Sequence, residues 1–386
     1  MLFVLLLVVC LQQFASDIYA PSLPAIASSL NAPIHLAQWS MAIYTLGVAL
    51  SALIYGPLSE GIGRKKPMLA GIAIMVWGTA LCTFAPNIDL LILGRFIQGC
   101  GAGACVLWRA TFRDIFTGEE LAKYGSSLSI FIMFILPAAP VLGGYLQEFF
   151  GWRANFIFML VYAVIAFIAL IYGFKETHQE YHADKLNFNY IIPTYKILLR
   201  SRIFVGITLC TFFSFGAFFT WFTVGSVLLI HVVGISPVKF GWLNCLGGGV
   251  AYALAGWLNS KVVKRFGMPL MMRLGWAGMI LAGILMVLGY GLIGVETWVI
   301  MGPIILFYFA STFIWPNAFA TAFSPFGHIA GYAAALYTCM QIGGGAVVGG
   351  LVVHLPAHNQ LSLGFVLILA SAIAWVVYEK VVFTKL

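Results

Sequence analysis

The stretch Gly56-Pro-Leu-Ser-Glu-Gly-Ile-Gly-Arg-Lys-Lys66 decides the fold, because it is a short charged turn set between two long apolar runs. Residues 36–57 precede it and residues 68–86 follow it, each run close to the roughly 20 apolar residues that cross a hydrocarbon core of about 30 Å. A second stretch, Gly256-Trp-Leu-Asn-Ser-Lys-Val-Val-Lys-Arg-Phe-Gly267, repeats the plan in the later part of the chain. There too glycine marks the end of an apolar run and a basic cluster follows. Between the two copies the sizeable polar break is Lys175–Arg202, which carries Glu176, His178, Glu180, His182, Asp184 and Lys185. Two related turns on either side of one break predict two six-helix halves, 1–174 and 203–386, joined by a loop over 175–202. Such paired halves are the mark of a secondary transporter, with its site near the midplane between them.

The rest of the chain agrees with that reading. It has 386 residues, of which 62% are hydrophobic and only 8% charged, and its mean hydropathy is +1.00. A soluble domain carries about a quarter charged residues, so that class is excluded. Twelve apolar runs are expected to span the membrane: 2–28, 36–57, 68–86, 90–112, 125–147, 153–174, 203–230, 238–259, 269–291, 297–322, 329–354 and 362–383. Backbone in lipid must satisfy itself, and long continuous runs without strict alternation make these helices rather than barrel strands. The first run starts at Met1 without a basic leader or a small-residue cleavage site, and reads as the first span rather than a signal peptide.

Basic residues gather in alternate loops: Arg64, Lys65 and Lys66; Arg113 and Lys123; Lys175 through Arg202; Lys261, Lys264 and Arg265; Lys380 and Lys385. The intervening loops hold little beyond Arg153 and Lys239. By the positive-inside rule this predicts a multi-pass protein of the inner (cytoplasmic) membrane with both termini in the cytoplasm. The net charge of +8 therefore reports topology, and no basic stripe stands clear of the membrane ends to suggest nucleic acid. All seven cysteines fall within spans, without metal-ligand spacing, and read as packing residues. No G-x-x-x-x-G-K-[ST] occurs, so no ATPase, enzyme activity, cofactor or metal is expected.

Four segments carry a resemblance to a known family. They are Asp17-Ile-Tyr-Ala-Pro-Ser-Leu-Pro24; the Gly56–Lys66 turn; Gly94-Arg95-Phe-Ile-Gln98-Gly99, running on to Arg113-Asp114-Ile-Phe; and Pro137-Ala-Ala-Pro140-Val-Leu-Gly143-Gly144. The Gly151-Trp152-Arg153 turn also fits. On these residues the chain resembles the major facilitator superfamily, and within it the drug–proton antiporters of the bicyclomycin-resistance (Bcr/CflA) group. The turn is similar to the family's G-x-L-x-D-x-x-G-R-K at Gly56, Leu58, Gly63, Arg64 and Lys65, with Glu60 for the usual aspartate. The second turn lacks an acidic residue and has Ser260 at that place. The resemblance implies an all-α membrane protein of the major facilitator fold, with twelve helices in two pseudo-symmetric halves. It also implies a monomer in the lipid bilayer that exchanges protons for a small-molecule substrate.

Each motif then has a physical reading. Asp17 is the acidic residue that hydropathy leaves inside the membrane, where a carboxylate is costly and marks function. If its access to water changes, it can take up and release a proton; the competing reading is a cap on a helix break beside Pro21 or Pro24. Arg95 cannot shed its charge and needs carboxylate, carbonyl or water partners. The resemblance puts it, with Gln98 one turn on, in the central cavity, while snorkelling to the outer interface is the alternative. Arg109 reads as a positive-inside residue at the inner end of its span. Tyr19 belongs to the Asp17 segment, and Trp108 and Trp221 are among the aromatics that lie within spans alongside Tyr44, Phe215, Phe222, Trp315 and Tyr337. Most of those should pack and two or three should line a cavity. In the turn, Gly56, Glu60, Gly63, Arg64 and Lys65 form a latch, Glu60 approaching the positive end of a helix in the other half and Arg64 and Lys65 pairing with acids or lipid phosphates. Pro140, Gly143 and Gly144 break helical regularity and admit a close neighbour.

These readings converge on a proton-driven exporter of small hydrophobic or amphipathic compounds. The alternative keeps the fold and changes the cargo to a siderophore or another polycarboxylate, drawn by Arg95, with Arg109 as a second candidate, against the one acid. A membrane receptor without transport has no use for paired latch turns.

Overall fold

The computed structural model describes residues 1–116, 137–177, 188–356 and 358–385, and every regular element in them is helical. Lys123, His178, Glu180, His182, Asp184, Lys185 and the first half of the expected fifth span lie outside the described residues. Ten described segments are long and apolar enough to cross a membrane. One of them, Pro237–Leu292, has 56 residues; as a straight helix it would run about 84 Å, nearly three bilayer cores. It is broken at Gly267, whose backbone (φ 79°, ψ 156°) is not helical. The segment is therefore two crossings that meet at the Lys261–Arg265 basic turn. A helix over 137–150 is the described end of the fifth.

Gly267 has a counterpart in Gly63 (φ 90°, ψ 169°), which separates the helices Ile34–Ile62 and Lys65–Thr83. Both glycines adopt backbone that side chains with a Cβ rarely enter, so each turn reverses the chain without a loop. This pairing corrects the register of the second turn. Aligned on the two glycines, the residue matching Glu60 is Lys264, not Ser260, whose hydroxyl merely donates back to the Trp257 carbonyl at 2.7 Å.

Span 1 is not one helix. It runs Leu2–Asp17, then a tight 3-10 turn at Ala20–Ser22, then Leu23–Ser29. Pro21 has no N–H to give the Asp17 carbonyl, and Pro24 has none for Ala20, so the regular ladder fails here. The second span lies along the eleventh for most of its length: a Cβ added to Gly350 would come 3.3 Å from the Trp39 ring, and one on Gly56 would come 2.8 Å from the Ala335 methyl. A helix outside the membrane, Phe188–Arg200, packs at the end of this seam that carries the basic turns. From it the Tyr195 hydroxyl donates to the Leu53 carbonyl at 3.1 Å, and its ring meets Tyr332 edge-on at 5.6 Å.

Candidate substrate cavity and gating turn

A cavity of about 270 Å³ lies near the middle of the spans, and its wall includes Asp17. Asp17 ends the first helical piece of span 1, so the break described above is what turns its carboxylate inward rather than along a continuous helix. It is 5% exposed. The amides of Gln12, Gln13 and Gln341 share the space, as do the rings of Trp108, Phe215, Phe218, Tyr252 and Trp315. Elements from both halves of the sequence thus form one chamber. A second, wider space of about 400 Å³ opens on the side of the basic turns, lined by Glu60, Arg64, Phe112, Phe319 and Phe323. The two share Val106, Trp108, Arg109 and Thr338 as their common wall.

Of the six residues expected around the cavity, Asp17 and Trp108 line it. Arg95, Gln98, Tyr19 and Trp221 do not. Arg95 is 1% exposed and is held between the faces of Tyr19 and Tyr44, its guanidinium carbon 4.1 Å from each ring centre. It donates to the Ala15 carbonyl at 2.9 Å and to the Gln98 side-chain oxygen, while Gln98 donates to the Thr79 hydroxyl at 2.9 Å. The Ala15 carbonyl is one that the helix break leaves without its i+4 donor, so Arg95 caps the break from the fourth span. No ion pair within 4 Å joins it to Asp17; the guanidinium also reaches the Ser40 carbonyl at 3.5 Å and holds no described carboxylate. Trp221 is fully buried and donates to Asn244 at 2.8 Å, tying the seventh span to the eighth. The expectation that the arginine faces the cavity failed because its aromatic partners come from the first and second spans, which close over it.

This geometry carries a prediction. Arg95→Lys keeps a charge but loses the planar face and the paired N–H groups. It is expected to cost about 2 kcal/mol, the scale of two desolvated cation–π contacts, read as a lower midpoint of thermal unfolding of the detergent-purified protein. An unchanged midpoint would reduce Arg95 to a point charge.

The gating turn is a dense charge network. Arg64 pairs with Glu60 at 2.8 Å and with Asp114 at 2.9 Å, and donates to the Ser59 hydroxyl at 2.7 Å. Burial alone would lower the Arg64 pKa, but Asp114 and Glu60 outweigh it and raise it. Glu176 accepts from the backbone N–H groups of Arg64 and Lys65 at 2.8 and 3.0 Å, so it caps the positive end of the third span. The Lys65 ammonium donates to the Ile171 carbonyl at 2.8 Å. Glu60 lies at the start of the helix Ala330–Val352: a Cβ on Gly331 would come 3.0 Å from its carboxylate oxygen. Gly56 and Gly63 supply the close approach and the turn already described. Asp114 and Glu176 were missed as partners of this turn, because they sit 50 and 112 residues away from Arg64. Arg64→Ala takes the guanidinium from the Glu60 and Asp114 carboxylates and is expected to destabilise by about 3 kcal/mol. Thermal unfolding checks it, with Arg64→Lys recovering part of the loss.

Pro140, Gly143 and Gly144 stand where the first, fifth and eighth spans meet. A Cβ on Gly143 would lie 1.7 Å from the Ile18 carbonyl oxygen, and one on Gly144 would lie 2.5 Å from that of Pro237. In return, a Cβ on Gly241 would press the Pro140 carbonyl at 2.6 Å.

A family model described as Major Facilitator Superfamily matches residues 5–349. The chain belongs to the major facilitator superfamily. Among its members the chain is 28% identical over 356 residues to a bicyclomycin resistance protein homolog of Haemophilus influenzae, covering 92% of this chain and 89% of that one. It is 29% identical over 373 residues to multidrug resistance protein D of Escherichia coli, covering 96% and 92%. In fold it is similar to the xylose transporter XylE of E. coli in a partially occluded inward open conformation, with a TM-score of 0.73 at 16% identity over 98% of this chain and 96% of that one. A major facilitator protein is a multi-span membrane transporter, which the turns and spans above describe in physical terms.

Proposed function

We propose that this protein is a proton-coupled efflux transporter of small hydrophobic or amphipathic compounds in the inner membrane, antibiotics among them. The observation that carries the reading is Asp17: a carboxylate in a chamber of amides and aromatic rings, formed by residues of both halves. The relatives named for bicyclomycin and multidrug resistance support the direction and the cargo class. In this reading the bundles 1–174 and 203–386 rock about the chamber as a monomer, with the loop 175–202 and both termini in the cytoplasm. Asp17 gives up its proton on one side and regains it on the other. The Glu60–Arg64–Asp114 network holds the basic side closed in one state and parts in the other. A siderophore or polycarboxylate cargo loses the support of Arg95, which is packed away from the chamber.

The test is a panel of labelled drugs in proteoliposomes under an imposed pH gradient. Accumulation that rises with the gradient and stops when it is collapsed is expected for at least one aromatic drug; gradient-independent movement of all of them rejects proton coupling.

A further inference from the structure

Arg109 is left unused by this account, and its surroundings are unusual. It follows the point where the fourth span changes from 3-10 geometry at Gly103–Leu107 to α-helix at Trp108–Ile115. That change in pitch turns Arg109 toward the common wall of the two spaces, so it lines the Asp17 chamber as well as the wider opening. The Trp108 ring, which precedes it in sequence, lies 5.1 Å from its guanidinium carbon. Among the described residues no carboxylate lies within ion-pair distance of it. A guanidinium keeps its charge at any physiological pH, and Arg109 is exposed to the spaces it borders, so its N–H groups are open to a ligand. The chamber therefore offers a fixed cation seeking an anion, and across the same space a carboxylate that pairs with neither arginine.

We propose that Arg109 is the anion-binding residue of the chamber, and that the chamber selects amphoteric aromatic compounds: a ring system bearing one anionic and one basic group. The anion sits at Arg109 and the basic group faces Asp17, while Phe215, Phe218 and Trp315 take the ring. The proposal rests on reading this chamber as the transport site. Its volume of about 270 Å³ suits a compact two-ring body.

Equilibrium dialysis of the purified full-length protein tests it, using four matched probes: 2-naphthamide, 2-naphthoate, 2-naphthylmethylamine and 6-(aminomethyl)-2-naphthoate. The wild type is expected to hold the last, the zwitterion, tightest. Arg109→Gln should weaken the zwitterion and naphthoate by about ten-fold or more and leave the amine within about two-fold. Asp17→Asn should weaken the zwitterion and the amine and leave naphthoate within about two-fold, and Arg109→Lys should restore part of the naphthoate affinity. A wild type that binds the amide as tightly as the zwitterion overturns the proposal, even if Arg109→Gln fails to fold. So does an unchanged zwitterion affinity in a folded Arg109→Gln protein. Binding is read without a gradient. A protein that shows this ranking yet moves no probe against a pH gradient therefore supports the anion site and removes the exporter reading.

Discussion

Asp17→Asn abolishes gradient-driven transport in the expected result, lowering drug accumulation in proteoliposomes to the level seen with the gradient collapsed. The substitution keeps the size of the side chain and removes its charge and its ability to carry a proton. Among the described residues Asp17 has no ion-pair partner within 4 Å, so neutralising it strands none of their cations, and Arg95 keeps its contacts to Ala15 and Gln98. Membrane insertion and thermal stability should accordingly match the wild type. The assay therefore separates coupling from folding: a stable Asp17→Asn protein that still responds to the gradient takes Asp17 out of the mechanism. Downhill exchange, without a gradient, of a substrate that has no basic group should persist, because the chamber's size and its other lining residues are unchanged.

Among the described glycines, Gly143→Ala is expected to have the largest structural effect of a single added methyl group. The added carbon would lie 1.7 Å from the Ile18 carbonyl oxygen, inside bonding range of a backbone atom. Backbone cannot rotate away as a side-chain tip can, so the fifth span must move off the first. Overpacking of this kind costs about 1–3 kcal/mol when side chains can yield, and more is expected here. The displaced backbone is the break that presents Asp17, so transport should fall together with stability. Thermal unfolding of the purified protein and the proteoliposome assay measure the two losses. A variant with wild-type values in both would show that the spans separate at this point without cost.

Much of this architecture could be read from residue order, because bilayer crossing imposes length and polarity on every helix. The apolar runs and the charged turns at Arg64 and Lys264 followed from that constraint alone. What escaped was orientation about each helix axis. Arg109 looks like a topology marker when only its depth is considered; the pitch change at Gly103–Leu107, invisible in residue types, brings it to the chamber wall. Arg95 was visible as a charge in apolar sequence, yet its sandwich between Tyr19 and Tyr44 depends on how the first two spans fold over the fourth. The register of the second turn failed for a similar reason. Gly56 and Gly256 look equivalent as letters, whereas backbone angles pair Gly63 with Gly267. Capping of the third span by Glu176 needed the end of the sixth span brought alongside, a contact that no local pattern announces.

The Tyr195 contacts fasten the helix Phe188–Arg200 to both halves of the protein. Its hydroxyl holds Leu53 of the second span while its ring leans on Tyr332 of the eleventh. Any swing that separates those two spans at that end must strip both, at about 1 kcal/mol each. The connector thus adds about 2 kcal/mol of resistance to parting the two spans at that end.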